Sequence, residues 1–255
     1  MDTLTAKPTL RVAVFLAIIL NVFFNLFYNK LFPQLLTIQE VSQLHYNFFT
    51  PAPYTFIIWG VIYITFIVYG FYQLLAAQRN LAVLNILAWP MIIANILCSV
   101  WLVLFASNQI TGSLVLIIMI LVCAMFLFFI AEKYRASYTW FLFPFSLFFG
   151  WISVATIANF STWLAAMNWD GGTLGLSTWT IIMMVLAVVA ALVISIRFKN
   201  WVYPLVITWT ITGISIANIS INPIVSYSAV LLVVILLAWL VAYFSLEAFR
   251  KSNIT

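Results

Sequence analysis

The sequence predicts an all-α integral membrane protein of eight transmembrane helices with both termini cytoplasmic, and three observations predict it. Of 255 residues, 66% are hydrophobic and only 6% charged, far from the ~45–50% and ~25% of soluble domains. Apolar runs such as LLVVILLAWLVAYF (231–244) are unbroken, whereas barrel strands alternate between lipid and lumen. The basic residues, finally, sort by loop. No polar segment is long enough to form a soluble domain, so function must reside inside the helix bundle or at its rims.

Each span follows from an apolar run bounded by polar, Gly, Pro or Asn residues. The first, about 10–29, begins behind Lys7 and Arg11 like a signal peptide, but the following NLFYNKLFPQ offers no small-residue cleavage site, so the span is retained. Asn21 and Asn25 lie one turn apart on it; amides in lipid need partners, which turns them toward the bundle. The loop at about 30–53 is the longest connection, and Tyr46, Phe48 and Phe49 would lay it either over the bundle as a lid or into the headgroup layer. The remaining spans are 54–77, 83–106, 111–131, 138–166, 174–196, 201–219 and 223–246. If they alternate, Lys7, Arg11, Arg79, Lys133, Arg135, Arg197, Lys199, Arg250 and Lys251 share one side and only Lys30 lies on the other. One span more or fewer would scatter the later residues, so this asymmetry sets the count and the orientation. A bacterial inner membrane is the expected location. The formal charge of +5 is therefore topological information, and nucleic acid is not among the partners.

What the spans lack is as informative as what they hold. They contain no Asp, Glu, Lys or His, and Arg11 only at a rim, which disfavours proton pumps, voltage sensors and ion-coupled carriers. No metal site is expected, because the one histidine, His45, lies in the first loop and no carboxylate or thiolate cluster exists. Cys98 and Cys123 sit in apolar runs and read as small buried residues. Phosphate loops, nucleophile elbows and paired carboxylates are likewise missing. What remains is aromatic and neutral-polar: Trp, Tyr and Phe make up 18% of the chain, several of them in mid-span. Phe56, Trp59 and Tyr63 share one helix face, as do Cys98, Trp101 and Phe105, and Trp151, Ala155 and Asn159. Those faces serve either plain helix packing, with Ser146 and Gly150 permitting close approach, or a pocket of ring faces with one or two neutral hydrogen-bonding groups, suited to a flat conjugated ligand.

Three segments carry a family resemblance. FTPAPYTFIIWGVIY (49–63), with Trp59 and Tyr63 in W-x-x-x-Y spacing, resembles the entry to the second helix of the translocator protein/tryptophan-rich sensory protein family, TspO/MBR. CSVWLVLF (98–105) is similar to that family's third-helix motif, and FPFSLFFGWISVATIAN (143–159) to its fifth, with Trp151 and Asn159 at the family spacing. The wording looks most like the longer bacterial members. Cys98 stands where the family has Asn, with Asn95 about one turn away; three extra residues separate Pro144 from Trp151; and the cholesterol-recognition motif is replaced by FSTWLAAMNWD.

The resemblance covers about 10–169 and implies a five-helix module, 1–169, followed by a three-helix extension, 170–255, in one membrane-embedded unit. It also implies a ligand pocket under the first loop. Trp59, Trp101, Trp151, Ala155 and Asn159 would line it, with Tyr63, Phe56, Asn95 and Cys98 beside them. The implied ligand is a tetrapyrrole such as protoporphyrin or a haem-like molecule, with no cofactor required; its propionates would look to Lys30 and His45 in the loop lid. Membrane lipids, a hydrophobic small molecule and a homodimer are the expected partners. The function read is a membrane-bound sensory or binding protein for porphyrin-like ligands. A carrier of a neutral hydrophobic solute and an enzyme that degrades photoexcited porphyrin through its Trp cluster stay open as alternatives. The three C-terminal spans either cover lipid-facing surface in place of a dimer contact or complete a translocation path.

Overall fold

Pro8 opens helix α1 (Pro8–Leu31), where its missing N–H leaves no intrahelical bond unmade. The computed structural model describes residues 7–78, 81–135 and 141–252; Arg79 and the side chains of Arg250 and Lys251 lie outside the described set. After α1 come a short helix α2 (Ile38–Leu44) and a 3₁₀ turn, Pro53–Ile57, that runs directly into α3 (Ile58–Leu74). The chain continues through α4 (Ala82–Ala106), α5 (Ile110–Lys133), α6 (Leu142–Ala166), α7 (Gly175–Phe198), α8 (Val202–Asn218) and α9 (Pro223–Ser252). The second span stops at Leu74, earlier than expected, because residues Ala76–Gln78 tighten into a 3₁₀ turn.

Among the described residues there is no strand. Seven helices, counting Pro53–Leu74 as one, are long and apolar enough to cross a bilayer, and α8, with 17 residues, is a shorter apolar helix. Their outward faces carry large side chains such as Leu20, Leu26, Ile64, Val122 and Leu231, an apolar surface that water would not tolerate and lipid does. The protein is a multi-pass helical membrane protein.

Helix α1 packs on α3 and α4, α4 on α5, α5 on α6, and α3 returns to α6, which closes a five-helix ring; α8 then packs on α6 and on α9, with α7 against both. Helix α6 is thus the shared wall. Its most apolar stretch is 67% buried, against 22% for α1 and for α9. Between lipid-embedded helices the hydrophobic effect is largely spent, and close packing with buried hydrogen bonds holds the bundle. At the α6–α8 contact a Cβ on Gly150 would stand 3.1 Å from Val206 Cβ, so the absence of a side chain sets how near the two backbones come.

Two polar clusters fasten the first three long helices. Asn21 faces the bundle and half-buried Asn25 backs it from the same helix: Asn21 Nδ2 donates to Asn95 Oδ1 at 3.0 Å, Ser99 Oγ donates to Asn21 Oδ1 at 2.9 Å, and Asn25 Nδ2 donates to Asn21 Oδ1 at 2.8 Å. Arg11 is less peripheral than the sequence implied. It is buried, and its guanidinium donates to the carbonyls of Gln73 (3.3 Å), Gln78 (2.7 Å) and Leu81 (3.2 Å), gathering the end of α3 and the start of α4 onto α1.

Candidate functional site

The side chains that define the site come from three helices of the ring. Trp59 of α3 and Trp151 of α6 meet edge to face at 6.1 Å between centroids, and Phe56 meets the same Trp151 ring at 5.9 Å. Across from them Trp101 and Phe105 of α4 lie stacked at 5.3 Å. These rings surround a cavity that Ala155, Ala158 and Asn159 of α6 floor and that Phe49, Thr50 and Pro51 of the first loop cover, together with Ile38 and Ser42 from α2. Among the described residues no charged side chain lines it. Asn159 is held in place: its Nδ2 donates to Ser113 Oγ at 3.1 Å and its Oδ1 accepts from Trp101 Nε1 at 3.4 Å. Trp151 Nε1 is buried and has no hydrogen-bond partner.

Six of the sequence-named residues, Phe56, Trp59, Trp101, Trp151, Ala155 and Asn159, therefore converge on one cavity. Tyr63 stacks on the outer partner Trp59 at 5.6 Å without lining the space. Cys98 is buried in α4 but outside the lining. Asn95 belongs to the α1 contact instead, where it bonds Asn21. The N95A variant is accordingly expected to lower stability by about 1 kcal/mol or less, the usual worth of an interhelical bond in lipid, and to leave ligand affinity at its wild-type value. Thermal melts and a ligand titration of the same preparation check both halves. Sequence reasoning placed Phe105 on the right face without assigning it to the site, and missed Thr162, which follows Asn159 by three residues. It also missed Thr210 of α8, which lines the same cavity and which no periodicity could have flagged.

The loop does lie over the bundle. Leu36 N donates to Ala106 O at 3.0 Å, and Asn47 Nδ2 reaches Thr162 Oγ1 at 3.4 Å. Lys30 and His45, however, do not line the cavity. Lys30 Nζ sits 5.6 Å from the Phe27 ring centroid, and His45 Nε2 lies 2.6 Å from Asn108 Oδ1 at the α4–α5 turn. Within the lid, α2 starts on a capping box: Glu40 N donates to Thr37 Oγ1, and Thr37 N and Oγ1 donate to the Glu40 carboxylate at 2.7 and 2.8 Å. The Thr37 backbone and side-chain donors hold the Glu40 carboxyl below its ordinary pKa. A depressed value means that this support is complete above the ordinary carboxylate range and is lost as pH falls through the lowered value. Amide exchange of α2 is therefore expected to be flat down to about pH 4 and to rise below it once corrected for intrinsic rates, while E40Q shows no such step.

Fold and site together define a multi-pass helical membrane protein with a neutral, aromatic-walled cavity beneath an ordered loop. The family model described as TSPO-like protein matches residues 11–242, and the chain belongs to that family. The match runs through α7 and α8 and most of α9, beyond the point near 169 where the three motifs end. No curated protein and no solved structure matches the chain. Family membership points to a general ligand-binding or sensory role at the membrane.

Proposed function

We propose that the chain is a membrane-bound sensor that binds a flat, conjugated ligand of the porphyrin class in the cavity between α3, α4 and α6. The convergence of Phe56, Trp59, Trp101, Phe105 and Trp151 around one uncharged space carries this reading. Ring faces stack on a macrocycle and bury its apolar area at ~25 cal/mol per Å². The cavity has a volume of about 50 Å³, against the ~300–1,000 Å³ of sites that enclose drug-sized molecules. A macrocycle thus enters only when the cavity widens, and its carboxylates point to the rim rather than into the uncharged interior. Below the cavity α3 and α6 are joined by Phe66 with Phe148 at 5.1 Å and Tyr69 with Phe145 at 5.1 Å, which favours a closed binding site over a path across the membrane.

In this reading all eight apolar helices cross the membrane, with both termini cytoplasmic in a bacterial inner membrane. Asn222 Nδ2 donates to Ser177 Oγ at 2.6 Å beside the start of α7, and Trp239 Nε1 donates to Ser195 Oγ at 2.9 Å near its end. Helix α9 thus runs alongside α7 in the same direction, and α8 must return between them. Arg135 donates to the carbonyls of Phe198 and Lys199, gathering the basic ends of α5 and α7 on one side.

The test is a titration of detergent-solubilised protein with protoporphyrin, followed by Trp fluorescence, in wild type and in W59A/W151A. Saturable quenching that the double variant loses is the expected result. Quenching that is linear, or equal in the two proteins, overturns the reading.

A further inference from the structure

The first part of the lid is tied to the five-helix ring through Leu36, His45 and Asn47, whereas residues 48–55, which cover the cavity, are tied to α8. Three of their hydrogen bonds run to that helix: Ala52 N donates to Gly213 O at 3.0 Å, Trp209 Nε1 donates to Thr55 O at 3.0 Å, and Asn218 Nδ2 donates to Phe48 O at 2.9 Å. The Tyr54 ring adds an edge contact to Trp209 at 5.4 Å. The approach is close because residue 213 is glycine. A Cβ there would stand 2.1 Å from Thr55 Oγ1, 3.1 Å from Pro51 Cβ and 3.2 Å from Thr55 Cβ. A rotamer change could clear the hydroxyl, but Pro51 Cβ and Thr55 Cβ are fixed to the backbone. One turn before Gly213, Thr210 faces the cavity itself.

From these contacts we infer that α8 completes the ligand site: Thr210 supplies part of its wall, and Trp209, Gly213 and Asn218 latch the lid, so that release of residues 48–55 from α8 gates entry. The inference builds on the pocket proposed above, and it gives the C-terminal extension a place in binding rather than a role as lipid-facing cover. It follows physically from the small volume, about 50 Å³. A ligand larger than a few waters needs the cavity to widen, and lifting residues 48–55 breaks the bonds that hold them down. All three of those bonds run to one helix, which makes that helix the gate.

The test uses the full chain in nanodiscs and two variants. G213A pushes Pro51 and Thr55 away from α8, and W209F/N218A removes the two side-chain donors while leaving the backbone contact. Hydrogen exchange of the lid peptide over residues 48–57 is compared with that of α5, and protoporphyrin association is followed by stopped-flow Trp quenching. The expected result is lid exchange about tenfold faster in each variant, in line with the loss of one or two hydrogen bonds, with α5 exchange unchanged and association accelerated to a similar degree. Lid exchange equal to wild type in W209F/N218A overturns the inference, as does acceleration of the lid and α5 by the same factor. If G213A fails to fold, W209F/N218A decides alone. If protoporphyrin does not bind wild type, the ligand reading falls, while the exchange comparison still decides whether α8 is the latch.

Discussion

Replacing Arg11 with alanine is expected to destabilise the protein by about 3 kcal/mol, roughly 1 kcal/mol for each carbonyl it serves. The guanidinium is the shared donor for Gln73 O, Gln78 O and Leu81 O, carbonyls that lie in the last turn of α3, in the 3₁₀ turn after it and just ahead of α4. Helix termini leave their last carbonyls without intrahelical partners, and at the edge of a bilayer water reaches them poorly. A planar fork with five N–H donors can serve several acceptors at once, which an ammonium on a flexible stem does less well. R11K should therefore recover only part of the loss. R11M keeps the aliphatic stem packed and removes the donors, and should behave like R11A. Thermal midpoints in one detergent compare the four proteins; R11M melting with wild type would show that the side chain acts by packing alone.

Gly150 is the second position where a small change should have a large effect. Its virtual Cβ lies 3.1 Å from Val206 Cβ and 3.3 and 3.4 Å from the two γ carbons. A valine Cβ has no rotamer that moves it away, so the helices themselves must separate. For G150A a loss of about 1–3 kcal/mol is expected, the usual range for overpacking a well-filled contact, and G150L should exceed it. The consequence reaches the site, because α8 carries Thr210 and the lid contacts of Trp209, Gly213 and Asn218. Moving α8 off α6 should loosen the lid as well as lower the melting midpoint. A double-variant cycle with V206A checks the cause: V206A should restore most of what G150A loses, whereas strictly additive losses would place the strain elsewhere.

The helices were legible because lipid imposes a length and a composition. Expected and observed ends of α1, α4, α5, α7 and α8 agree within a few residues, as does the end of α6, whose expected start at 138 lies outside the described residues, since each apolar run meets a polar or proline-containing boundary at the membrane surface. The site was legible in part, and the reason is specific. Trp59, Trp101, Trp151, Ala155 and Asn159 could be named because their motif spacing resembles that of a known family, and the structure gathers all five on one cavity. Asn95 and Cys98 could not be sorted from Trp101 by pattern alone, because a lipid-embedded helix is apolar on every side and its period does not say which face meets the bundle. The turn of α4 that aims Trp101 at Asn159 also aims Asn95 at Asn21 on α1. Lys30 and His45 were natural rim donors in the sequence, yet the path of the loop takes both away from the cavity and presents Phe49, Thr50 and Pro51 instead.

The sequence by itself determined that the chain lives in a membrane, roughly where most of its helices begin and end, and that the chemistry along its spans is aromatic and neutral. These are properties of runs, and runs are read along one dimension. Only the tertiary structure decided that Arg11 is buried against three carbonyls, that the cavity holds only about 50 Å³, and that Trp209 of α8, some 150 residues away in the chain, donates to Thr55. Those facts depend on how close two backbones come. Closeness is set by pairs such as Gly150 with Val206 and Gly213 with Thr55, whose partners lie too far apart in sequence for any local pattern to join them.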